Sequence, residues 1–276
     1  MPLRHVIAAL ERLYPPDTAQ SWDQVGLVVG DADQEVRSIL VAVDPTAAVI
    51  AEAQDRQIDL IITHHPLLLR GVHSITPATA KGSALQTLIL EDLALYCAHT
   101  NADVAEFGVG HALARACGLR NTSPLTMVEG QELGRVGDLE QAMSLLDFAT
   151  GLAGALRHTP AGMRISGPGE ARIQRVAVLG GAGDDAFEAV RDSGADVYVT
   201  ADLRHHPASE AREQALLGDG RPYLIDAGHF ASEALWLPLL AEHLISALGP
   251  LGAELSVHVS SVCTDPWDFW LPTGDS

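Results

Sequence analysis

The chain has 276 residues, 47% of them hydrophobic, which is enough for two modest domains with a sizeable core. Its 36 acidic and 17 basic side chains give a formal net charge of −19, so nucleic acid and anionic membranes are poor partners, although the same charge also serves simple solubility. Aromatic residues make up only 5% of the chain, too few for platforms on which bases could stack.

The N-terminal stretch MPLRHVIAALERLYPP predicts an amphipathic helix rather than a signal peptide, because charged residues interrupt its apolar positions. No apolar run in the sequence is long enough to span a bilayer. The three cysteines, Cys97, Cys117 and Cys263, lie far apart without a CxxC pair, which argues against a disulfide framework. We therefore expect a cytoplasmic protein.

The stretch from Arg37 to Pro66 predicts a strand–helix–strand unit. Its β-branched run Ile39–Val43 indicates a buried strand, a helix should begin near Asp44 and Pro45, and Leu60–Ile62 indicates a second buried strand. Such units build mainly parallel sheets.

The stretch from Gln174 to Pro207 has the same plan. We predict a strand at Val176–Leu179, a Gly-rich turn, a helix and a strand at Val197–Thr200. The turn contains Gly181–Asp185 (GAGDD), which faintly resembles a phosphate-binding loop but is better interpreted as a tight strand-to-helix turn. Polar residues at the strand ends also match between the two stretches: Asp59 with Asp196, and Thr63 with Thr200.

A third strand follows each stretch and runs into His99–Asp103 in one case and Asp226–Glu233 in the other. We therefore predict an α/β fold of two similar domains that arose by internal duplication, although any two strand–helix–strand units look somewhat alike. We expect a first domain of residues 1–121 and 250–276 and a second of residues 122–249. The segment Thr122–Gly169 looks less regular, with a turn, a capped helix and a loop rich in Gly and Pro. The late stretch AELSVHV predicts a strand that returns to the first domain.

Histidines and carboxylates follow the predicted strands, at the sheet edge where α/β proteins build their sites. His64 and His65 come directly after a strand, and Pro66 favours a turn there, so that each imidazole could serve one metal ion. A hydrogen-bonded structural pair is the alternative interpretation. Asp103 follows the next strand and could bridge two cations, while His99 and Asn101 in the same loop are candidates to orient ligands.

The segment DAGHFASEA places His229 and Glu233 four residues apart, hence on one face of a helix. Alone, such a pair is more often a surface pair, but the other candidates strengthen its interpretation as a ligand pair. Three imidazoles and two carboxylates suit two ions such as Zn, Fe, Mn or Co, which together can activate water. The predicted metal ligands are His64, His65, Asp103, His229 and Glu233.

Five segments in this order resemble the Nif-three-like proteins, known as GTP cyclohydrolase 1 type 2 homologues: SWDQVGLVVG, ITHHPLLLRG, AHTNADVAEFGVGHALA, VYVTADLRHH and IDAGHFASE. The resemblance covers nearly the whole chain. It implies two related α/β domains with a dinuclear metal centre between them, the same five ligands, and a homo-oligomer, often a toroidal hexamer. Gln24 and Ala201 depart from the family's usual Asn and Gly, and the short central segment leaves no room for the extra domain of longer members.

Two functions from different classes remain open. The first is a metal-dependent hydrolase of the cyclohydrolase or phosphoesterase type, acting on a small molecule; activity on GTP is doubtful because no arginine cluster awaits a triphosphate. The second is a non-catalytic metal-binding protein, metal chaperone or regulatory scaffold.

A catalyst needs a general acid or base besides the ligands, and His99, His205 and His206 are the candidates. His205 and His206 occupy the position in the second half that His64 and His65 occupy in the first, and a structural or pocket-wall role is the alternative for them. Trp22 and Asp23 should pack and hydrogen-bond near the site rather than bind metal.

Overall fold

A computed structural model of the chain describes residues 1–249, 255–272 and 274. Within these residues the helices and strands follow one another as α1 (Leu3–Leu13), β1 (Gly26–Val29), β2 (Ser38–Ala42), α2 (Ala47–Asp55), β3 (Leu60–Thr63), α3 (Ala80–Leu90), β4 (Ala94–Cys97), α4 (Thr100–Val104), α5 (Val109–Ala116), β5 (Arg120–Val128), β6 (Gln131–Ser144), α6 (Leu145–Ala155), β7 (Arg164–Ser166), β8 (Arg172–Ala182), α7 (Phe187–Asp192), β9 (Val197–Ala201), α8 (His205–Leu216), β10 (Tyr223–Asp226), α9 (His229–Ala234), α10 (Trp236–Leu248) and β11 (Ser256–Val259). None of the helices described is long and apolar enough to cross a membrane.

The chain divides into two compact units. Unit 1 is Met1–Gly108 with Trp236–Thr264, and unit 2 is Val109–Leu235 with Asp265–Ser276. The sequence had placed the boundaries near 121 and 250, and residue 250 lies outside the described residues. The difference arises because α5 packs on β6 and β8 of unit 2, whereas α10 packs on α1 and β2 of unit 1.

Unit 1 is built on a five-stranded sheet in the order β1-β4-β3-β2-β11. Its strands are parallel except β1, which runs antiparallel to β4 at one edge. Strands β2, β3 and β4 are buried almost completely, which explains why they read as continuous apolar runs. The predicted return of the late strand to the first domain is confirmed for Ser256–Val259, which pairs with β2, whereas Ala253 and Glu254 lie outside the described residues.

Unit 2 is built on a six-stranded sheet in the order β5-β6-β8-β9-β10-β7. Strands β8, β9 and β10 are parallel, and β5, β6 and β7 pair antiparallel. The expectation of little regular structure after Thr122 was wrong, because β5 and β6 form a long hairpin whose turn has φ 49° at Glu129 and 82° at Gly130. The predicted capped helix is confirmed as α6, since the Ser144 side chain accepts a hydrogen bond from Asp147 N.

The same carboxylate anchor occurs at equivalent places in both units. In unit 1, Asp59 Oδ2 accepts hydrogen bonds from the backbone N of Arg37 at 2.7 Å and of Ser38 at 2.9 Å. In unit 2, Asp196 Oδ2 accepts from the backbone N of Gln174 at 2.6 Å and of Arg175 at 2.9 Å. Each aspartate therefore ties the start of its own strand to the start of the preceding one. The prediction of two α/β domains is confirmed, and this shared detail supports their origin by duplication.

Candidate metal centre

Three histidines of unit 1 meet at one edge of its sheet. Strands β3 and β4 are parallel neighbours, so the residues that follow them, His64 and His65 in one case and His99 in the other, come out side by side. Each of these histidines offers a ring nitrogen, and the three nitrogens lie within 4.8 Å of one another. Asp103, on α4, places Oδ1 3.5 Å from His64 Nε2. We call these four residues the first cluster.

The rings of His64 and His65 are held through Nδ1. His64 Nδ1 lies 3.0 Å from the carbonyl oxygen of Ala98, and His65 Nδ1 lies 2.7 Å from Asp44 Oδ1. A carbonyl or carboxylate oxygen only accepts, so Nδ1 carries the proton in each ring. In the neutral imidazole the lone pair then sits on Nε2. This is the arrangement by which proteins orient histidines that bind metal.

His99 is oriented in the same way by Asp23, whose Oδ2 lies 3.1 Å from His99 Nδ1. Burial alone would raise the pKa of Asp23, but hydrogen bonds from His99 and Thr100 outweigh it and lower this pKa to about 2. Trp22 is half exposed, with its ring edge-on to His99 at 5.8 Å between centroids. Asn101 differs from its predicted role, because its Nδ2 donates to Tyr14 O at 2.8 Å and ties the start of α4 to the end of α1.

The second cluster lies in unit 2 and consists of His229, Glu233, Asp202 and Gly181. Helix α9 begins at His229, directly after Gly228, whose φ of 80° would strain another residue. One turn separates His229 from Glu233, so that Nε2 and Oε1 face each other at 3.0 Å. His229 Nδ1 lies 2.8 Å from Asp202 Oδ2, and the Glu233 side chain is only 4% exposed.

The space beside these two ligand atoms is kept open by a glycine. Gly181, in the left-handed region at φ 68°, ends the regular part of β8, and a Cβ there would lie 2.5 Å from Glu233 Oε1 and 3.3 Å from His229 Nε2. Ser232 fixes this approach, because its Oγ accepts from Gly181 N at 3.0 Å and donates to His229 O at 2.8 Å. Gly181, the first residue of the predicted turn Gly181–Asp185, therefore leaves room for the ligand atoms of the second cluster.

The second cluster fits a cation by its own chemistry. With the proton of His229 on Nδ1, its Nε2 is an acceptor, and it faces the carboxylate oxygen of Glu233, which is also an acceptor. Two acceptors at this distance repel unless a cation or a proton lies with them. The donor set, one imidazole nitrogen and one carboxylate oxygen, suits a borderline divalent ion.

The structure thus groups His64, His65 and Asp103 in unit 1 and His229 with Glu233 in unit 2. His205 and His206 lie at the start of α8, both exposed, with their rings 5.2 Å apart. Asp44 and Asp202 were not among the site residues predicted from the sequence. Asp202 directly follows the buried strand β9 and Asp44 lies two residues after β2, at the edge where the histidines also lie, and this position was the available signal.

The chain therefore belongs to the class of two-domain α/β proteins whose sheet edges carry histidine and carboxylate groups that could hold a metal ion. Its residues 1–266 match the family Duf34/NIF3 (NGG1p interacting factor 3), and the chain belongs to that family. It is 46% identical over 270 residues to the GTP cyclohydrolase 1 type 2 homolog of Streptomyces coelicolor, covering 96% of this chain and 93% of the relative.

Solved structures agree with this assignment. The chain is similar to HcgD from Methanocaldococcus jannaschii, with 30% identity, a TM-score of 0.78 and coverage of 95% and 98% of the two chains. It shares its fold with a Bacillus cereus protein related to NIF3, at a TM-score of 0.87, 23% identity and coverage of 98% and 99%.

Proposed function

We propose that the chain binds two divalent metal ions and acts as a metal-dependent hydrolase on a small molecule. The main support for metal binding is the geometry of the second cluster. There Asp202 holds His229 Nδ1, and His229 Nε2 faces Glu233 Oε1 at 3.0 Å. A divalent ion held by His229 Nε2 and Glu233 Oε1 would remove the repulsion between these two acceptors.

The proposed ligands are His64, His65 and Asp103 of the first cluster with His229 and Glu233 of the second. For the first three, the support is the common anchoring of the imidazoles through Nδ1 and the position of Asp103 beside His64. Zn, Fe, Mn or Co suits such a set of nitrogen and oxygen donors. When bound, the ions supply Lewis acidity and lower the pKa of coordinated water.

Hydrolysis also requires a group that moves protons, and His99 is the best candidate among the three predicted. It lies with His64 and His65 at the edge of the sheet, its Nδ1 is held by Asp23, and its Nε2 has no hydrogen-bond partner among the residues described. His205 and His206 are less suitable because both are exposed at the start of α8. Asp23 acts here as a positioning residue that aims the second nitrogen of the His99 ring.

The alternative is a metal-binding protein without catalysis, such as a metal chaperone or regulatory scaffold. The acidic surface favours neither function, and the name of the Streptomyces relative points to a cyclohydrolase. We further propose a cytoplasmic homo-oligomer, a hexamer by the family resemblance, with no nucleic acid or membrane partner.

Metal analysis of the purified full chain tests the first part of this proposal. We expect two divalent ions per chain at saturation, because five ligands exceed what one four-coordinate site uses. One ion or none at saturating metal would contradict it.

A substrate screen on the metal-loaded protein tests the second part. The panel should contain phosphoesters, cyclic amides and nucleotides, and His99→Asn serves as the matched variant. We expect turnover of at least one class, lost in His99→Asn while both ions stay bound. No turnover across the panel by fully loaded protein would favour the chaperone or scaffold function.

A further inference from the structure

A second potential binding site lies in unit 2, in a cavity of about 290 Å³ between helix α8 and strands β7 and β10. Its polar lining includes Arg164, His205, Ser209, Arg212 and the carboxylate of Asp226, and Leu203 and Leu224 contribute apolar surface. The volume is at the lower end of the range for small-molecule sites, so the ligand would be compact. None of the proposed metal ligands lines this cavity.

Arg212 gives the cavity a positive charge that is held in place but not neutralised. Its Nη1 donates to the backbone oxygen of Gly220 at 2.7 Å and to that of Pro222, and its guanidinium group lies 5.5 Å from the ring centre of Tyr223. All of these partners are uncharged. No carboxylate among the described residues forms an ion pair with Arg212. A fixed guanidinium group with remaining donors is the usual means of recognising a carboxylate or phosphate.

Arg164, on strand β7, adds a second guanidinium group to the lining. It pairs with Asp226, whose side chain is only 8% exposed and whose Oδ2 also accepts from Leu203 N at 3.2 Å. This pair fixes Arg164, so that Arg164, Arg212 and Asp226 together leave the cavity with an excess of one positive charge. In a chain with 36 acidic and 17 basic residues, such a local excess is unusual.

We infer that this cavity binds a small organic anion, a carboxylate or phosphate monoester that carries a compact apolar group. The anion would lie against Arg212 and the apolar group against Leu203 and Leu224, with Ser209 and His205 at the mouth. This assignment does not depend on the proposed metal centre, since the two sets of side chains are separate.

Isothermal titration of the full chain with phenyl phosphate and with phenylacetate tests the inference. Ser209→Glu places a carboxylate in the lining of the cavity without removing any of the contacts that hold Arg212. Gln214→Glu adds the same charge at an exposed position of the same helix, outside the lining, and is the matched control. We expect at least one probe to bind, at least tenfold more weakly to Ser209→Glu, and within twofold of the original affinity to Gln214→Glu.

The two probes distinguish the kind of anion, because preference for phenyl phosphate indicates a phosphate monoester and preference for phenylacetate a carboxylate. Inorganic phosphate should bind more weakly than phenyl phosphate, since it cannot use the apolar surface. Absence of binding by either probe at millimolar concentration would overturn the inference. So would equal affinity of Ser209→Glu and the unchanged chain, which would place the anion elsewhere, for instance on a bound metal ion.

Discussion

A side chain at position 181 would enter the space beside the ligand atoms of the second cluster. Gly194 is a matched control that separates this effect from the strain of the backbone conformation. Gly181 and Gly194 share a φ of 68°, but only at Gly181 would a Cβ meet Glu233 and His229. Both alanine variants should therefore lose about 1 kcal/mol of stability from the left-handed backbone. Gly181→Ala should in addition bind less metal, measured by elemental analysis, whereas Gly194→Ala should keep the original content. Full metal content in Gly181→Ala would contradict the placement of a ligand pair there.

Glu233 should matter far more to metal binding than His206. Glu233→Ala is expected to lose both ions or to retain one weakly, because it removes negative charge from a nearly buried position beside His229. His206→Ala should keep both ions, since His206 is exposed on α8. Metal analysis of the two purified variants side by side measures this difference. If His206→Ala loses as much metal as Glu233→Ala, the proposed set of ligands must be revised.

The sequence points to the candidate metal ligands more clearly than to the carboxylates that hold their rings. His64, His65 and His229 stand out because histidines after buried strands are rare and informative, and His229 and Glu233 have a helical spacing. Asp44 and Asp202 carry no such pattern. Asp44 was expected to begin a helix, but Thr46 caps α2 instead, and the Asp44 carboxylate turns to His65. A lone aspartate after a strand has too many possible partners for its sequence position to select one.

The carboxylate anchors of the two sheets should contribute similarly to stability. Asp59→Ala and Asp196→Ala each remove two hydrogen bonds from backbone N–H groups to a charged oxygen. We expect each to lower the free energy of unfolding by about 2 kcal/mol. Asp196 also pairs with Arg221 at 2.9 Å, so its variant should be the more destabilised of the two.

Urea denaturation measures these losses, and Asp55→Ala is the control. The Asp55 side chain is exposed at the end of α2 and makes no hydrogen bond or ion pair with the residues described, so its replacement should change stability by less than about 0.5 kcal/mol. Equal stability of Asp59→Ala and Asp55→Ala would show that the anchor in unit 1 contributes nothing.

The parallel strands were predictable, whereas the β5–β6 hairpin was not. Strands such as β3 and β9 are covered on both faces, so their sequences are continuous apolar runs of the expected length. Strand β5 has only one buried residue and contains Pro124, a residue that usually argues against a strand. Strand β6 contains Gly134 and Gly137, which also weaken a strand pattern. Its pairing with β8 therefore depends on tertiary packing that no short window of sequence reveals.

At the scale of the whole molecule, we expect sedimentation velocity to find an assembly of six chains. The apolar residues Trp236, Leu240 and Leu244 of helix α10 are buried, so they are not available for contacts between chains. Several large exposed apolar side chains lie near the C-terminus, among them Trp267, Phe269 and Trp270. Exposed apolar groups of this size are typical of surfaces that pair with other molecules. A stable monomer at micromolar concentration would exclude the hexamer.

The path of the chain through the two units also sets an order for biosynthesis. Unit 1 is interrupted, because the buried helix α10 and the edge strand β11 come from residues made after the stretch Val109–Leu235. That stretch contains all six strands of the second sheet in one continuous piece. On the ribosome, the second sheet can therefore close while the first still lacks a strand and a covering helix. Unit 1 is therefore begun first and completed last. The apolar surface that α10 covers in the folded protein stays exposed until that helix has been synthesised.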